Sequence, residues 1–325
     1  MTDIRTPNRW AALTRELDNP RSPVRVFLDE RLTPGLKEVQ GRYRKAAPDT
    51  LLLPPGDAHP GTVGTAADWL LKFLIHPTPN LHIPQHGARL LSTITAGPLD
   101  PTTTVLPAFE TIAEDLGIPA QALSAEVTTF TYPAAGSSAE PDLLARACWA
   151  LALLTNAYRS DPLRVLAGPL NRFRGETLSR DDLLSLAPDN AINQLTGFRK
   201  MFEDILKPEL AKRPGTWALG PTFTGSAAIG GADADLIAAG LLLELKTTQP
   251  KPSLANVELY QLIGYTLLDF EDTFELEAVG IFNARYGYLA TWDLMDLLEE
   301  LAGFPVSLPA LREQFRQLLL VGPGA

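Results

Sequence analysis

The stretch that decides the fold is GGADADLIAAGLLLELKTTQ, residues 230–249, which places four charged residues inside an otherwise apolar pattern. Two apolar runs, ADADLIA and LLLELKTT, flank Ala239 and Gly240, and this pattern predicts two strands joined by a tight turn. Because side chains alternate along a strand, Glu244 and Lys246 are expected to share one face. The question is why a buried hairpin carries them.

A metal site would account for these charged residues within an apolar hairpin. The hairpin is expected to bring Asp235, on its first strand, beside Glu244. Magnesium and manganese prefer hard oxygen ligands, so the two carboxylates and the backbone carbonyl of Leu245 form a candidate ligand set. Lys246 would orient or deprotonate a water. The alternative is an ion pair between Glu244 and Lys246 on a solvent-facing strand, but the leucines on both faces favour a covered strand.

The segments around the hairpin predict an α/β core. A helix at 192–212 and a strand in TWALGPTF precede it, and an amphipathic helix at 254–272 and a strand at 276–285 follow. YGYLATW is a further candidate strand, and two helices close the sequence. This order predicts a mixed sheet flanked by helices.

The helix at 254–272 adds two polar residues. Gln261 and Tyr265 are one turn apart and share a helical face. Taken alone, they fit an ordinary, partly buried helix face. Coupled to the hairpin, they become candidates for a functional site.

These motifs together resemble the PD-(D/E)XK nuclease superfamily, in which an aspartate ends one strand, E-x-K lies on the next, and an active-site helix follows. Asp235, then Glu244-Leu245-Lys246, then Q-x-x-x-Y from Gln261 to Tyr265 are similar to its RecB-like branch. The resemblance covers roughly residues 225 to 290. It implies a restriction-endonuclease-like core and catalytic roles for five side chains, those of Asp235, Glu244, Lys246, Gln261 and Tyr265. Gln261 and Tyr265 would also contact the substrate backbone.

The same branch usually has an upstream G-T-x-x-H helix whose histidine also binds the metal. VGTAADWLL carries Asp68 at that position, and an aspartate is a harder ligand for magnesium than imidazole. The alternative is that Thr65 and Asp68 cap a helix start. We expect residues 1–190 to be a mainly helical, Pro-rich region that contributes the helix near 64–75. If Asp68 is a ligand, the helical material between 75 and 190 is a large insertion within one nuclease fold, and it would act as a lid or DNA-guiding subdomain. Residues 191–325 would form the nuclease core.

Several neighbouring polar residues are weaker candidates. Asp233 faces the same side as Asp235 but fits an outer position or a solvated strand end better. Ser226 is expected to organise a turn more than to contact a phosphate. Arg285 is either a phosphate clamp or a surface arginine. His82 and His86 have metal-like spacing, yet Pro84 between them disfavours the helix that would align them, so no site is assigned there.

Composition limits the function classes. The chain has 325 residues, a net charge of −10 and one cysteine, Cys148, which excludes disulfides within the chain, cysteine-rich zinc sites and four-cysteine iron–sulfur clusters. The apolar window around Cys148 is shorter than the roughly 20 residues of a membrane span, and MTDIRTPNRW lacks the apolar run of a signal peptide. We therefore expect a cytoplasmic protein without membrane contact. The basic segment 21–46 is either a solvated face or a phosphate track.

The expected activity is Mg²⁺- or Mn²⁺-dependent hydrolysis of phosphodiester bonds in DNA, with RNA as an alternative substrate. Endonuclease and exonuclease modes both stay open, as do DNA repair, recombination and defence against foreign DNA. Helicase motifs are absent from the sequence, so a motor would be a separate protein partner. The alternative function is a nucleic-acid-binding or assembly subunit that keeps the nuclease fold without cleaving.

Overall fold

The amino-terminal helices belong with the sheet that is formed by the last third of the sequence. The computed structural model describes residues 12–95, 105–123, 128–160, 162–171, 177–247 and 251–321. The chain divides into a first unit, residues 1–52 with 213–325, and a second unit, residues 53–212. This division differs from the predicted boundary near residue 190, because the first segment packs against distant parts of the sequence.

Elements are numbered in chain order. The α-helices are α1 (Ala12–Asp18), α2 (Pro23–Leu32), α3 (Leu36–Ala46), α4 (Pro60–Ile75), α5 (His82–Thr95), α6 (Leu106–Asp115), α7 (Pro141–Arg159), α8 (Pro162–Ala167), α9 (Arg180–Leu184), α10 (Asp189–Met201), α11 (Lys207–Leu210), α12 (Asn256–Leu268), α13 (Leu294–Ala302) and α14 (Leu308–Val321). The strands are β1 (Thr128–Tyr132), β2 (Gly215–Leu219), β3 (Leu236–Ala238), β4 (Leu241–Lys246), β5 (Ala278–Asn283) and β6 (Tyr288–Asp293). A π-helical turn, Phe202–Leu206, joins α10 to α11.

The sheet of the first unit is mixed. Strands β2 to β6 lie side by side in sequential order. All neighbours are antiparallel except β4 and β5, which are parallel and are connected through α12. Every residue of β5 is buried, as expected for an interior strand covered on both faces. The predicted α/β class with a mixed sheet is confirmed.

The hairpin between β3 and β4 has the predicted turn. Ala239 and Gly240 have φ angles of 45° and 77°, both in the left-handed region that a tight two-residue hairpin turn requires. Leu236 lies opposite Leu243, and Ala238 lies opposite Leu241.

Helix α12 is held close to this hairpin by packing on several sides. It contacts β4, and on other sides it contacts α1 and α14. Its first turn is organised by Glu258, whose carboxylate accepts a hydrogen bond from the N–H of Ala255 at 2.8 Å. Tyr260 and Leu262 are fully buried, so the helix is part of the core of the first unit.

The second unit is mainly helical. Helix α7 packs against both α4 and α5, and α10 packs against α4. The predicted helix 141–160 agrees with α7. Helix α4 begins at Pro60, five residues earlier than predicted from 65–75, because proline is well suited to the first helical position and His59 caps the N–H of Thr62.

Candidate metal centre in the first unit

The hairpin aligns the first two candidate residues. Asp235 immediately precedes β3, whereas the sequence predicted it on the strand, and the register places it opposite Glu244. The Oδ2 atom of Asp235 accepts a hydrogen bond from the backbone N–H of Leu245 at 2.7 Å. The aspartate side chain therefore takes the place of a backbone partner where the β3–β4 ladder ends.

Glu244 and Lys246 form an ion pair on one face of β4. The distance from Lys246 Nζ to Glu244 Oε2 is 3.3 Å. The side chain of Lys246 is only 18% exposed and that of Glu244 only 5%, so the alternative of a solvent-facing pair is wrong. A buried pair is costly to form in water-free surroundings, and it needs further partners to be tolerated.

Helix α12 supplies those partners. Lys246 Nζ donates a hydrogen bond to Gln261 Oε1 at 3.0 Å, and Gln261 Nε2 donates to the hydroxyl of Tyr265 at 2.9 Å. The ring of Tyr265 stacks on Phe223 at 5.6 Å between centroids. The structure thus brings Glu244, Lys246, Gln261 and Tyr265 into one chain of polar contacts.

One carboxylate oxygen of this polar network has no hydrogen-bond partner among the described residues. The Oε1 atom of Glu244 is buried and accepts no hydrogen bond from any residue that the structure describes. An unpartnered buried carboxylate oxygen is unfavourable by itself, and a bound cation would compensate it.

Burial and neighbouring charges shift the pKa values of the network. Burial raises the pKa of Glu244, although the charge of Lys246 opposes this effect. Burial lowers the pKa of Lys246, but Glu244, Asp235 and Glu258 together raise it above its ordinary value. Lys246 is therefore protonated at neutral pH, which favours a role in orienting a water or a phosphate over a role as a base.

The raised pKa of Tyr265 shows that several carboxylates lie near its hydroxyl. Its pKa is raised well above the ordinary value by burial, with further contributions from the charges of Glu244, Asp233 and Asp235. All three carboxylates therefore lie within electrostatic reach of one buried hydroxyl. Asp233 is half-buried and forms an isolated antiparallel bridge with Thr222.

The oxygen atoms available at this centre suit a hard cation. Asp235 and Glu244 offer carboxylate oxygens. The carbonyl of Lys246 faces β5, because it accepts a hydrogen bond from the N–H of Ala284. Since carbonyls alternate sides along a strand, the carbonyl of Leu245 points away from β5 and is open to a ligand. Across the described ranges, no group of three histidine, cysteine, aspartate or glutamate side chains is arranged to hold an ion. The predicted set of two carboxylates and one carbonyl does not require such a group.

Asp68 lies in the second unit. It falls in the third turn of α4, so the alternative that Thr65 and Asp68 cap a helix start is wrong. Its Oδ2 accepts from Lys72 Nζ at 2.7 Å, while its buried Oδ1 has no hydrogen-bond partner among the described residues. A ligand role for Asp68 stays a prediction.

Two of the weaker candidates have structural roles. The hydroxyl of Ser226 accepts from the N–H of Phe223 at 2.8 Å and donates to the carbonyl of Ala232 at 2.7 Å, which organises the loop before β3. Arg285 is 3% exposed and donates from Nε to the carbonyl of Thr247 at 2.7 Å, so the surface alternative is wrong.

The basic segment 21–46 is largely paired within the first unit. Arg25 pairs with Asp29 at 2.9 Å, and the guanidinium of Arg42 pairs with Glu300. Arg44 and Lys45 are exposed at the end of α3. The pairing favours the solvated-face alternative over a continuous phosphate track.

Sequence reasoning missed two contributors to this centre. Glu258, in the first turn of α12, raises the pKa of Lys246. Asn283 is the β5 partner of Lys246, and its amide donates to the hydroxyl of Tyr43 on α3. The sequence could have pointed to Glu258, because it lies three residues before Gln261 on the same helix. No local pattern links Tyr43 to Asn283 on β5.

Comparison with protein families, curated proteins and solved structures finds no match. The site is therefore interpreted from its own geometry. Among the described helices, none combines the length and the apolar character needed to traverse a bilayer.

Proposed function

We propose that the protein is a metal-dependent nuclease that hydrolyses phosphodiester bonds in DNA, with RNA as an alternative substrate. The proposal includes a restriction-endonuclease-like core of the PD-(D/E)XK type. The mixed sheet, the hairpin and α12 support it, because they gather Asp235, Glu244, Lys246 and Gln261 at one place.

In this proposal each residue has one task. Asp235, Glu244 and the Leu245 carbonyl would hold Mg²⁺ or Mn²⁺, which supplies Lewis-acid polarisation of a phosphoryl oxygen and of water. Lys246 carries a positive charge and orients the attacking water or the scissile phosphate. Gln261 fixes the Lys246 ammonium through the contact at 3.0 Å and is in turn fixed by Tyr265.

The observation that carries the proposal is the unpartnered Oε1 atom of Glu244. The other oxygen of the same carboxylate is satisfied by Lys246, and the residue is only 4% exposed. Buried polar atoms usually have a partner, so an open carboxylate oxygen beside Asp235 and Lys246 is a position where a cation would be accommodated.

The decisive experiment is incubation of single-stranded DNA, double-stranded DNA and RNA with Mg²⁺ or Mn²⁺. The variants are Lys246→Ala and Glu244→Gln, and the matched control is Lys251→Ala, an exposed lysine of the same unit that pairs with Asp49. We expect cleavage by the wild type and by the control, and its loss in both site variants. Cleavage that survives Lys246→Ala would refute the assigned roles.

A second candidate function is a non-cleaving nucleic-acid-binding or assembly subunit. It is favoured by the contact between Asp235 Oδ2 and the N–H of Leu245, which already gives this carboxylate a structural task. Titration calorimetry with Mn²⁺ separates the two, because only the nuclease requires binding that weakens in Asp235→Asn and Glu244→Gln. DNA binding without Mn²⁺ binding or cleavage would favour the subunit.

The biological setting follows only from the proposed chemistry. A nuclease of this type would act in DNA repair, recombination or defence against foreign DNA. A helicase, where one is needed, would be a separate polypeptide.

A further inference from the structure

Two histidines at the start of α5 point at each other. The Nε2 atoms of His82 and His86 are 2.7 Å apart, and the rings meet edge to face with centroids 4.2 Å apart. One ring must donate and the other accept, because each neutral imidazole carries a single N–H. The pair lies in the second unit, away in sequence from the hairpin residues.

Local structure explains how the pair is aligned. By its type alone Pro84 predicts that no helix aligns the two histidines, and this prediction is wrong. Pro84 lies in the first turn of α5, where its missing N–H would have no intrahelical acceptor. The side chain of Asn80 accepts from the N–H of His82 at 2.6 Å and fixes the beginning of the helix. Residues four apart on a helix share one face.

The ring of His86 also packs against an aromatic side chain. The imidazole of His86 stacks on the ring of Tyr158, with centroids 5.2 Å apart and planes 21° apart. Tyr158 belongs to α7, which packs along α5. Both rings are half-buried rather than free on the surface, so their common direction is set by packing.

We propose that His82 and His86 form a binding site for a borderline-soft divalent cation, Zn²⁺ or its Ni²⁺ and Cu²⁺ analogues. Two histidines at i and i+4 on one helical face provide two imidazole nitrogens to one ion, which is the ligand type these cations prefer. Among the described residues no third such side chain completes the set, so water fills the remaining positions.

The geometry needs only a small change to admit the ion. Metal–nitrogen bonds of 2.0–2.1 Å at a tetrahedral centre require the two nitrogens to be about 3.3 Å apart. The rings therefore separate by roughly 0.6 Å from the present 2.7 Å contact. The donating ring moves its proton from Nε2 to Nδ1, so that both Nε2 lone pairs face the ion and no proton is released.

The site is chemically distinct from the proposed nuclease centre. Its ligands are nitrogens suited to zinc, whereas Asp235 and Glu244 present oxygens suited to magnesium. The two sites therefore predict opposite metal preferences in the same chain.

The test is calorimetric titration of the full, tag-free chain with Zn²⁺ and, separately, with Mg²⁺. The variants are His82→Gln and His86→Gln, and the matched control is His76→Gln, a histidine of the same unit whose ring packs at a tilt against Phe130. Lys251→Ala, at an exposed lysine of the first unit that pairs with Asp49, serves as the second control. Thermal unfolding of each variant without metal verifies that it is folded.

We expect the wild type to bind Zn²⁺ but not Mg²⁺ at this pair, with Zn²⁺ raising the unfolding temperature. Each pair variant should weaken Zn²⁺ binding by more than the roughly 10–100-fold that the loss of an outer-shell partner costs. His76→Gln and Lys251→Ala should leave Zn²⁺ binding unchanged. Zn²⁺ binding that is absent from the wild type, or equally strong in the folded pair variants, would overturn the proposal.

Discussion

Replacing Lys246 by methionine should destabilise the first unit far more than replacing an ordinary lysine. The change removes the ammonium 3.3 Å from Glu244 and leaves that carboxylate buried without a counter-charge. Breaking a buried pair by removing one partner costs ~3–5 kcal/mol, whereas an exposed pair contributes about 0–1 kcal/mol. For a unit of this size, the loss corresponds to a fall in melting temperature of roughly 6–20 °C.

The assay is denaturant unfolding of a double-mutant cycle built from Lys246→Met, Glu244→Gln and the double variant. The two partners are in contact, so their effects should not add, and a coupling free energy of up to about 3 kcal/mol is expected. The reference is Lys251→Met, which removes an exposed lysine paired with Asp49 in the same unit. Metal-free buffer restricts the measurement to the protein's own charges.

Two results would refute this reasoning. One is a cost for Lys246→Met no larger than that for Lys251→Met, because the burial of the pair would then have no energetic consequence. The other is strict additivity within the cycle, which would mean that Glu244 and Lys246 do not interact in solution.

Three further predictions concern other features. Because burial raises the pKa of Glu244, the folded protein keeps a proton that the unfolded chain releases, so the free energy of unfolding should fall as pH rises from the ordinary value of 4.5 to the raised pKa. Denaturation across this range should show the slope in the wild type and its loss in Glu244→Gln; equal slopes would contradict the burial argument. Ala239→Gly should stabilise the hairpin by up to about 1 kcal/mol, since Ala239 has a φ of 45°, and a lower unfolding midpoint would count against this turn geometry. Gly87→Ala should destabilise by about 1–3 kcal/mol or more, because its Cβ would lie 1.9 Å from the carbonyl oxygen of Leu154, whereas Gly41→Ala meets open space and should stabilise α3 slightly; similar melting temperatures for the two variants would disprove the close approach.

The parts of the centre that sequence could predict are those set by local periodicity. Strand alternation placed Glu244 and Lys246 on one face, and helical spacing placed Gln261 and Tyr265 on another. The turn residues also fixed the β3–β4 register. These inferences needed no knowledge of distant contacts, and the α/β class with a mixed sheet followed from the order of the elements.

The remaining features depend on tertiary contacts that a local pattern does not encode. The pairing of Asn283 with Tyr43 joins residues that are 240 positions apart. Arg285 is buried through its hydrogen bond to the carbonyl of Thr247, just beyond β4, and no local pattern separates this position from an exposed one. The effect of Pro84 depends on how far it lies from the helix start, which its residue type alone does not show.

The split of the first unit across the sequence has a consequence for synthesis on the ribosome. Helices α1 to α3 are synthesised before their partners, which include α12, α13 and α14 and lie beyond residue 213, about 160 residues later. At translation rates of ~5–20 residues per second, this delay is roughly 8–32 seconds. During that interval Leu13, Leu17 and Leu28, which are buried in the folded unit, lack the later helices that cover them, so we expect this segment to need protection from aggregation until residues beyond 213 are made.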